Sequence, residues 1–460
     1  MSASAPTAHK PHLSSRERTG VFALVGAGHL MSHMYILTLP PLFALIKIEL
    51  GISYAALGLL VTMFHITTGA TQVPAGFAVD RFGARLTLIA GLLLCAACMG
   101  AVGMVNAYWV KVALTTLAGI GNSVFHPANY AILAASVDEK HLGKTFGYHL
   151  LTGNLGFAAA PVVMVALAAL WDWRTAVILV GAAGVAVAVC MMLFGRSLSI
   201  GDTVADAAPD NSPDAGPKAG DADDAGDAQE DSSNQPASQS ASTFGNVTQS
   251  NNTRVLASPV LASPALLVML AFFTVVALGS SAIQTFVPTV LNELYGFDLA
   301  TANTALTIYL SASFVGVGVG GFLADRVQQP VAVVIAGMLI GALALSVVGA
   351  VALPVMLMFA AMALGGAATG VMRPARDMMV NALTPPGATG KAFGFVGTGL
   401  SIGGAVSPVA FGWLIDVGAA PWVFALIVAF FVMGAAIAVA AGRMARQAST
   451  AQADAATTRY

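Results

Sequence analysis

Twelve long runs of apolar residues divide this chain, and they constrain its fold more than any other feature of the sequence. Each run exceeds the roughly 18 to 20 residues that an α-helix needs to cross about 30 Å of hydrocarbon. Polar backbone groups in lipid must be satisfied within the protein, and a helix does this by itself. The sequence therefore predicts an all-α integral membrane protein. Its predicted spans are 20–46, 55–78, 86–106, 108–135, 146–168, 174–194, 264–291, 301–324, 330–352, 354–383, 391–416 and 421–442.

The composition excludes a soluble globular domain. Of the 460 residues, 57% are hydrophobic and only 9% are charged, and the mean hydropathy is +0.79. Ordinary soluble domains carry about 25% charged residues. Residues 1–19 are polar and basic, and the apolar run that follows is too long for the core of a signal peptide and lacks a small-residue cleavage site. We therefore expect the first helix to be retained.

Positive charge is distributed unevenly between the two sides of the predicted bundle. Of the twenty Lys and Arg residues, only Lys47, Lys111 and Arg174 fall on the side opposite the N-terminus. Cytoplasmic loops of membrane proteins are enriched in Lys and Arg. This bias predicts a multi-pass protein of the plasma membrane, the inner membrane in a bacterium, with both termini in the cytoplasm.

A polar segment separates the first six predicted spans from the last six. It contains ten of the 22 acidic residues of the chain, between Asp202 and Asp231. A segment this poor in aromatic residues cannot bury enough apolar surface to fold. The predicted regions are a cytoplasmic tail at 1–19, a six-helix bundle at 20–196, a disordered acidic cytoplasmic linker at 197–262, a second six-helix bundle at 263–442 and a cytoplasmic tail at 443–460.

The two predicted bundles are copies of each other. Residues 125–163 align without a gap to 372–410, with eleven identities. The segment GFAVDR at 76–81 also matches GFLADR at 321–326. Repeats of this kind are typical of transporters whose halves are related by an axis along the membrane normal.

These features together resemble those of a known family. Twelve helices in two sets of six, a long central linker and the sequence GFAVDRFGAR at 76–85 resemble the major facilitator superfamily. Within it, SH at 32–33, LP at 39–40, NSVFHP at 122–127 and GNLG at 153–156 resemble the fosmidomycin-resistance-type efflux carriers. The resemblance implies two pseudo-symmetric six-helix bundles and proton-driven efflux.

Ionisable side chains are rare within the predicted spans. Each is a functional candidate, because burying one in hydrocarbon costs about 2.5 to 3.5 kcal/mol or more. The repeat pairs His126 with Arg373, and each directly precedes a proline. Both lie about 15 Å from a helix end, near the midplane where secondary transporters bind substrate. We predict that His126, Arg373 and Asn129 bind a small solute in a basic cavity. The alternative is that His126 only bonds a neighbouring helix and Pro127 is a packing kink.

Histidine is the side chain that titrates near neutral pH. Five histidines lie within predicted spans of the first half, namely His29, His33, His65, His126 and His149. Carriers of the fosmidomycin-resistance type have an acidic residue shortly after the first-helix SH, whereas Met34 follows it here. We therefore predict that His33 and His126 carry the proton-coupled step. For each histidine the alternative is a hydrogen bond between helices.

Charged residues at the helix ends predict a gate. Arg81 and Arg85 are placed to pair with Asp80 or with a neighbouring helix end. The resemblance implies that this group is a latch that holds the outward-facing state. Asp325 and Arg326 repeat part of it, without the later Gly and Arg, and should form a weaker copy.

The tenth predicted span adds two further candidates for the gate, Arg376 and Asp377. Arg373 and Asp377 are four residues apart, so they can meet on one helix face and leave Arg376 unpaired. We assign Arg376 and Asp377 to a gate or a structural ion pair rather than to substrate contact.

The sequence predicts a secondary active transporter that moves a small anionic or polar organic solute by alternating access, in proton-coupled efflux. One alternative is proton-coupled uptake of an organic anion, and another is a sensor or receptor that kept the fold and lost transport. No motif offers a nucleophile with its base, a metal cluster or a phosphate-binding loop. We therefore expect no enzymatic activity, cofactor, metal or nucleic-acid partner. The expected partners are the solute, the proton and the lipid bilayer, and the chain is expected to act as a monomer.

Overall fold

The computed structural model describes residues 13–137, 141–199, 263–324, 326, 329–384 and 389–457. Within these residues the chain is helical, with short turns and loops between the helices. Asp325 and most of the predicted linker, from 200 to 262, lie outside the described residues. The division into five regions therefore stays a prediction.

The helices form two halves that follow the predicted order. The N-terminal half comprises α1 (Ser15–Ile36), α2 (Phe43–Leu50), α3 (Tyr54–Phe82), α4 (Ala84–Met104), α5 (Tyr108–Asn122), α6 (Phe125–Ser136), α7 (Leu142–Leu170) and α8 (Trp173–Phe194). The C-terminal half comprises α9 (Pro264–Tyr295), α10 (Leu299–Ala324), α11 (Pro330–Ala350), α12 (Val355–Ala382), α13 (Thr389–Asp416) and α14 (Pro421–Thr457).

Helix starts and turns follow from local chemistry. At the start of α1, the Ser14 hydroxyl accepts the Glu17 backbone N–H and the Glu17 carboxylate accepts the Ser14 N–H, which forms a capping box. Asp172 caps α8 by accepting the Thr175 N–H at 2.8 Å. Gly83 has φ of +84°, a backbone conformation that favours glycine, and it turns the chain directly from α3 into α4.

The membrane fold predicted from the sequence is confirmed. Among the described residues, eleven helical segments are long and apolar enough to cross a membrane. The first joins α1 and α2 across a bend at Pro40 and Pro41. The last, α14, continues to Thr457, beyond the predicted end of its span at 442. The protein is thus a multi-pass membrane protein.

The fourth predicted span, 108–135, is broken into α5 and α6. Pro127 has no N–H, so the Ser123 carbonyl one turn earlier loses its helical partner. The Ser123 N–H lies 3.1 Å from the Gly119 carbonyl and 3.2 Å from the Ile120 carbonyl, which tightens the last turn of α5. The equivalent Pro374 lies inside the continuous helix α12. The two halves therefore differ at the feature that most clearly identifies their repeat.

The two halves meet mainly at one end of the bundle. We name the end that carries the α1–α3, α4–α5, α7–α8 and α13–α14 connections the far face, and the opposite end the N-terminal face. Six hydrogen bonds between the halves lie in the part of the bundle nearer the far face. These bonds join Asp416 to Lys47, Tyr54 and Ala55, Glu293 to Tyr54, Asn303 to Pro41, and Ala405 to Thr62.

The interface between α3 and α13 opens towards the N-terminal face. Near the far face, a Cβ on Gly58 would lie 2.2 Å from the Pro408 carbonyl oxygen, so only glycine fits there. Further along, a Cβ on Gly69 would lie 3.1 Å from Ser401 Oγ. Gly76 and Gly394 continue the same stripes at helical spacing, yet a Cβ on either would meet no atom within 4 Å. The halves therefore diverge from the far face to the N-terminal face.

Candidate functional site

Three helices of the N-terminal half bring four of the predicted histidines together. The ring centroids of His29 on α1 and His149 on α7 lie 3.7 Å apart in a stacked arrangement. The His29 centroid also lies 4.4 Å from that of His33 and 5.8 Å from that of His126 on α6. We name His29, His33, His126 and His149 the histidine cluster. Several groups that titrate near neutral pH thus share one site.

The members of the histidine cluster differ in their accessibility. His29 is 2% exposed and His149 is 3% exposed, whereas His33 is half-buried and His126 is exposed. The two histidines that sequence reasoning selected for proton coupling are therefore the accessible pair, and the other two lie behind them. Nδ1 of His29 and of His33 has no hydrogen-bond partner among the described protein atoms, and neither has either ring nitrogen of His149.

Glycines on α7 allow the histidine cluster to pack this closely. A Cβ on Gly153 would lie 2.6 Å from His29 Nε2 and 2.9 Å from His33 Cε1. A Cβ on Gly156 would lie 2.3 Å from the Leu30 carbonyl oxygen. Contacts shorter than van der Waals distance cannot be relieved against backbone, so α7 needs glycine at these positions to approach α1. The two glycines of the GNLG motif thus allow α7 to pack directly against the histidines of α1.

Aromatic rings complete the walls of the histidine cluster. Tyr130 lies 5.9 Å from His126 and 5.4 Å from His149, measured between ring centroids. The Phe157 ring meets His33 edge to face at 4.4 Å. Sequence reasoning missed both, although Tyr130 lies one helical turn after His126 and so shares its face.

Asn129, predicted as a substrate ligand, lies fully buried on α6. Neither its side-chain oxygen nor its side-chain nitrogen has a hydrogen-bond partner among the described protein atoms. A buried amide without partners is costly, by about 1 to 3 kcal/mol per group. Nearby in the chain, the Asn122 side chain accepts a hydrogen bond from Ser32 at 2.7 Å, which fixes α5 to α1.

Arg373 is the candidate anion-binding residue on the C-terminal half. It lies half-buried on α12, and it interacts electrostatically with Tyr309 on α10 and with His33 across the interface between the halves. Among the described residues, no carboxylate lies within ion-pair distance of Arg373. The Tyr309 hydroxyl is hydrogen-bonded to the Thr369 hydroxyl at 3.0 Å. The arrangement leaves one unpaired cation beside neutral hydroxyl groups.

Arg373 and Asp377, which their spacing allows to meet on one helix face, do not form an ion pair in the structure. Asp377 instead pairs with its neighbour Arg376, whose Nε donates to the carboxylate at 2.9 Å and whose terminal nitrogen lies 2.8 Å from it. The Arg376 guanidinium also lies 4.3 Å from the centre of the Phe273 ring on α9. Arg376 is therefore the neutralised arginine, and Arg373 keeps its charge.

His65 lies apart from the histidine cluster. It is on α3, facing α13, and a Cβ on Gly404 would lie 3.3 Å from its Nδ1. His65 thus lies at the interface between the halves. It follows Thr62, whose hydroxyl donates to the Ala405 carbonyl, by three residues on α3.

Arg85, one residue of the predicted latch, contacts a neighbouring helix end at the N-terminal face. Arg85 donates to the Met192 carbonyl near the end of α8 at 3.0 Å, where helix carbonyls lack partners. Asp80, Arg81 and Arg85 are all described residues, and neither arginine forms an ion pair with Asp80. In the second half, the Arg326 guanidinium lies 3.5 Å above the Phe322 ring, and Asp325 lies outside the described residues.

Two cations at the far face have structural roles. Lys111 is 1% exposed and its ammonium donates to the Val102 and Val105 carbonyls at 2.7 and 2.6 Å, at the end of α4. Arg174 donates to the Gly103 and Val105 carbonyls and pairs with Glu49 at 2.7 Å. Cations at a helix C-terminus satisfy its free carbonyls and its dipole. These groups stabilise the far face of the N-terminal half.

Comparisons with known proteins agree with this architecture. The profile of the Major Facilitator Superfamily matches residues 25–300 and 269–457. The chain is 27% identical over 152 residues to the probable L-galactonate transporter of Escherichia coli, covering 33% of this chain and 34% of that one. It is 25% identical over 272 residues to the membrane sensor protein UhpC of Salmonella typhimurium, covering 59% and 56%. The matches thus span between a third and just over half the length of these relatives.

A solved structure gives the same fold. It is a bacterial homologue of the human lysosomal transporter Spinster, in an inward-facing and unoccupied conformation. The TM-score is 0.72 at 15% sequence identity, and the superposition covers 95% of this chain and 99% of that one. At this identity the likeness concerns the fold alone.

Proposed function

Because the chain belongs to the Major Facilitator Superfamily, we propose that it is a proton-coupled carrier of a small organic anion that works by alternating access. The observation that carries this proposal is Arg373, a half-buried arginine without a carboxylate partner among the described residues. A charged residue at membrane depth is retained where it binds a solute, an ion or a partner. An organic anion supplies the missing negative charge.

Charge count favours an anion with a single negative charge. Arg376 is neutralised by Asp377, so Arg373 contributes one positive charge from this part of α12. The Tyr309 and Thr369 hydroxyls offer neutral hydrogen-bonding groups beside it. In this proposal a carboxylate binds Arg373 and hydroxyl groups of the solute bind the neutral groups.

Proton coupling in this proposal follows from electrostatics between the halves. A bound anion near Arg373 favours the protonated form of an imidazole facing it, and His33 interacts electrostatically with Arg373. By linkage, a proton on the histidine cluster raises the affinity for the anion by the same factor. His33 and His126 are proposed to exchange the proton because they are the accessible members of the histidine cluster.

We propose that the N-terminal face is cytoplasmic, as the distribution of Lys and Arg predicts. The structure would then be inward-open, because its halves are bonded near the far face and diverge towards the N-terminal face. Transport would require the halves to separate at the far face and to close at the N-terminal face.

Two directions of transport fit the proposed site. The resemblance to fosmidomycin-resistance-type carriers predicts efflux. Uptake with protons is the second candidate, because the interior of a cell is electrically negative and already expels an anion, by about 2.3 kcal/mol per charge per 100 mV. Accumulating an anion needs accompanying protons. Two assays of cells that overexpress the protein separate these directions. Resistance to added compounds would indicate efflux, whereas growth on an anionic carbon source would indicate uptake.

A transport-inactive sensor is the candidate from another class. A relative that is 25% identical over 272 residues is named as a membrane sensor protein. A sensor of this kind would bind the anion at Arg373 without moving it across the membrane, so binding and flux must be measured separately.

Solute counterflow tests the proposed function. Proteoliposomes are loaded with unlabelled L-galactonate, and the transient accumulation of labelled L-galactonate is followed, with uncharged L-galactose as the matched control. We expect counterflow of the anion and none of the sugar. Binding in a thermal-shift assay without any counterflow would favour the sensor, and counterflow of the sugar alone would contradict an anion site.

A further inference from the structure

Asp416 joins the two halves at the far face. It is the last residue of α13, and its carboxylate accepts two backbone N–H groups at the start of α3 in the other half. The Tyr54 N–H donates to Oδ1 at 2.8 Å and the Ala55 N–H donates to Oδ2 at 2.8 Å. Sequence reasoning gave this residue no role.

The surroundings of Asp416 strengthen this contact. The first N–H groups of a helix have no partner within the helix, and the helix dipole places partial positive charge there. The Lys47 ammonium lies 3.4 Å from the same carboxylate and 3.9 Å from the centre of the Tyr54 ring. The Asp416 side chain is only 18% exposed, so solvent screens these interactions weakly.

Backbone packing holds Asp416 in reach of α3. A Cβ on Gly412, one turn before Asp416, would lie 2.5 Å from the Tyr54 carbonyl oxygen. The absence of a side chain therefore lets the end of α13 lie directly against the start of α3. Tyr54 itself donates its hydroxyl to Glu293 at 3.2 Å, which adds a second bond between the halves.

The related helix start in the other half has no such contact across the halves among the described residues. There α10 begins after Asp298, whose carboxylate accepts the Thr301 N–H at 2.9 Å and the Thr301 hydroxyl at 2.7 Å. The Thr301 hydroxyl and N–H lower the pKa of Asp298. Asp298 thus caps its own helix within one half, and Ser53 does the same for α3 by accepting the Ala56 N–H at 3.1 Å. The two bonds from Asp416 to the Tyr54 and Ala55 N–H groups are additional and come from the opposite half, so they exist only while the far face is closed.

We propose that Asp416 is the gate residue of the far face, and that its two bonds to the start of α3 set how often this face opens. The proposal rests on the alternating access proposed above. When the halves separate, the Tyr54 and Ala55 N–H groups must exchange the carboxylate for water. Asp416 is a positioning residue in this scheme, since it acts on the equilibrium between conformations and does not contact the solute.

The distance between spin labels across the far face tests this proposal. Met104, at the end of α4, and Met356, at the start of α12, are 73% and 76% exposed at the far face and lie in different halves. Both are replaced by cysteine and labelled after Cys95, Cys98 and Cys190 have been substituted. Double electron–electron resonance then reports the populations with short and long separation.

Asp416→Asn keeps the shape of the side chain but replaces one carboxylate oxygen by an NH2 donor, so one N–H of α3 loses its acceptor and the other bonds to a neutral oxygen. We expect it to increase the ratio of long to short separation by about tenfold, since hydrogen bonds to charged groups are the stronger ones. Lys47→Gln, which leaves the helix cap intact, should shift the ratio in the same direction by a smaller factor. Asp298→Asn is the matched control and should leave the distance distribution unchanged.

An unchanged distribution in both Asp416→Asn and Lys47→Gln would overturn the proposal, and so would an equal shift in Asp298→Asn. If Asp416→Asn fails to fold, Lys47→Gln decides alone. Counterflow of L-galactonate is measured on the same samples. If the parent protein shows no counterflow of L-galactonate but its distance distribution still shifts in the Asp416 and Lys47 variants as described, the proposed substrate is contradicted and the gate proposal is not.

Discussion

The imidazole rings of His29 and His149 stack with their centroids 3.7 Å apart, although they lie on different helices and 2% and 3% of their surfaces are exposed. Two protonated imidazoles at this distance would repel strongly in a low-dielectric interior. The histidine cluster can therefore carry few positive charges at once. An anion that binds beside the histidine cluster would therefore favour its protonation, and a cation would oppose it.

Arg373→Ala should reduce anion affinity and flux by about 10- to 100-fold, because a hydrogen-bonded charge contributes about 1.5 to 3 kcal/mol. The variant loses a cation that has no carboxylate partner among the described residues. Flux in proteoliposomes at matched protein density measures the effect. Arg376→Ala is the matched control on the same helix, and its effect should be smaller because Asp377 already neutralises that residue. Equal losses in the two variants would contradict the assignment.

Substitution of His33 or His126 by Gln should flatten the pH dependence of transport. Each change removes an accessible titratable ring from the histidine cluster and keeps a polar side chain of similar size. Initial rates between pH 5 and 8 give the profile. His65→Gln serves as control, since His65 lies at the interface between α3 and α13 and outside the histidine cluster. Unaltered profiles in both His33→Gln and His126→Gln would exclude these residues from coupling.

Gly153→Ala should lower the thermal stability of the protein and impair transport. The new Cβ would lie 2.6 Å from His29 Nε2 and 2.9 Å from His33 Cε1, so the rings must move. Overpacking of this kind costs about 1 to 3 kcal/mol. Gly147→Ala on the same helix meets no atom within 4 Å and should be neutral or slightly stabilising, because Ala favours helices. Thermal unfolding in detergent compares the two, and equal stabilities would contradict the packing described for α7.

Lys111→Met should destabilise the far face without altering the pH profile of transport. It leaves the Val102 carbonyl without its side-chain donor, at a cost of about 1 to 3 kcal/mol, and leaves the Val105 carbonyl with Arg174 alone. Lys144→Met changes an exposed lysine on α7 and should have little effect. A melting temperature of Lys111→Met equal to that of Lys144→Met would show that these hydrogen bonds do not stabilise the protein.

Hydrophobic run length predicted the fold well, because lipid permits few ways to satisfy a backbone and each span is encoded locally. The internal repeat predicted two matching halves, but it missed that Pro127 breaks its helix and Pro374 does not. The two prolines occupy equivalent positions of the repeat, so the repeat alone could not distinguish them.

The candidate site was only partly predictable. Ionisable residues within long apolar runs are conspicuous in a sequence, so His33, His126 and Arg373 could be selected one by one. Their grouping with His29 and His149 depends on how α1, α6 and α7 pack. The contact between Asp416 and Tyr54 joins residues 362 positions apart, and no local pattern signals it.

Proton movement driven by an organic anion tests the central claim most directly. Proteoliposomes that contain the purified protein and a luminal pH-sensitive dye are mixed with L-galactonate and other sugar acids, without an imposed gradient. We predict a change of luminal pH with at least one of these anions, and no change with Arg373→Ala. Flux of labelled anions without any pH change, or no flux of any anion in this panel, would contradict a proton-coupled anion carrier.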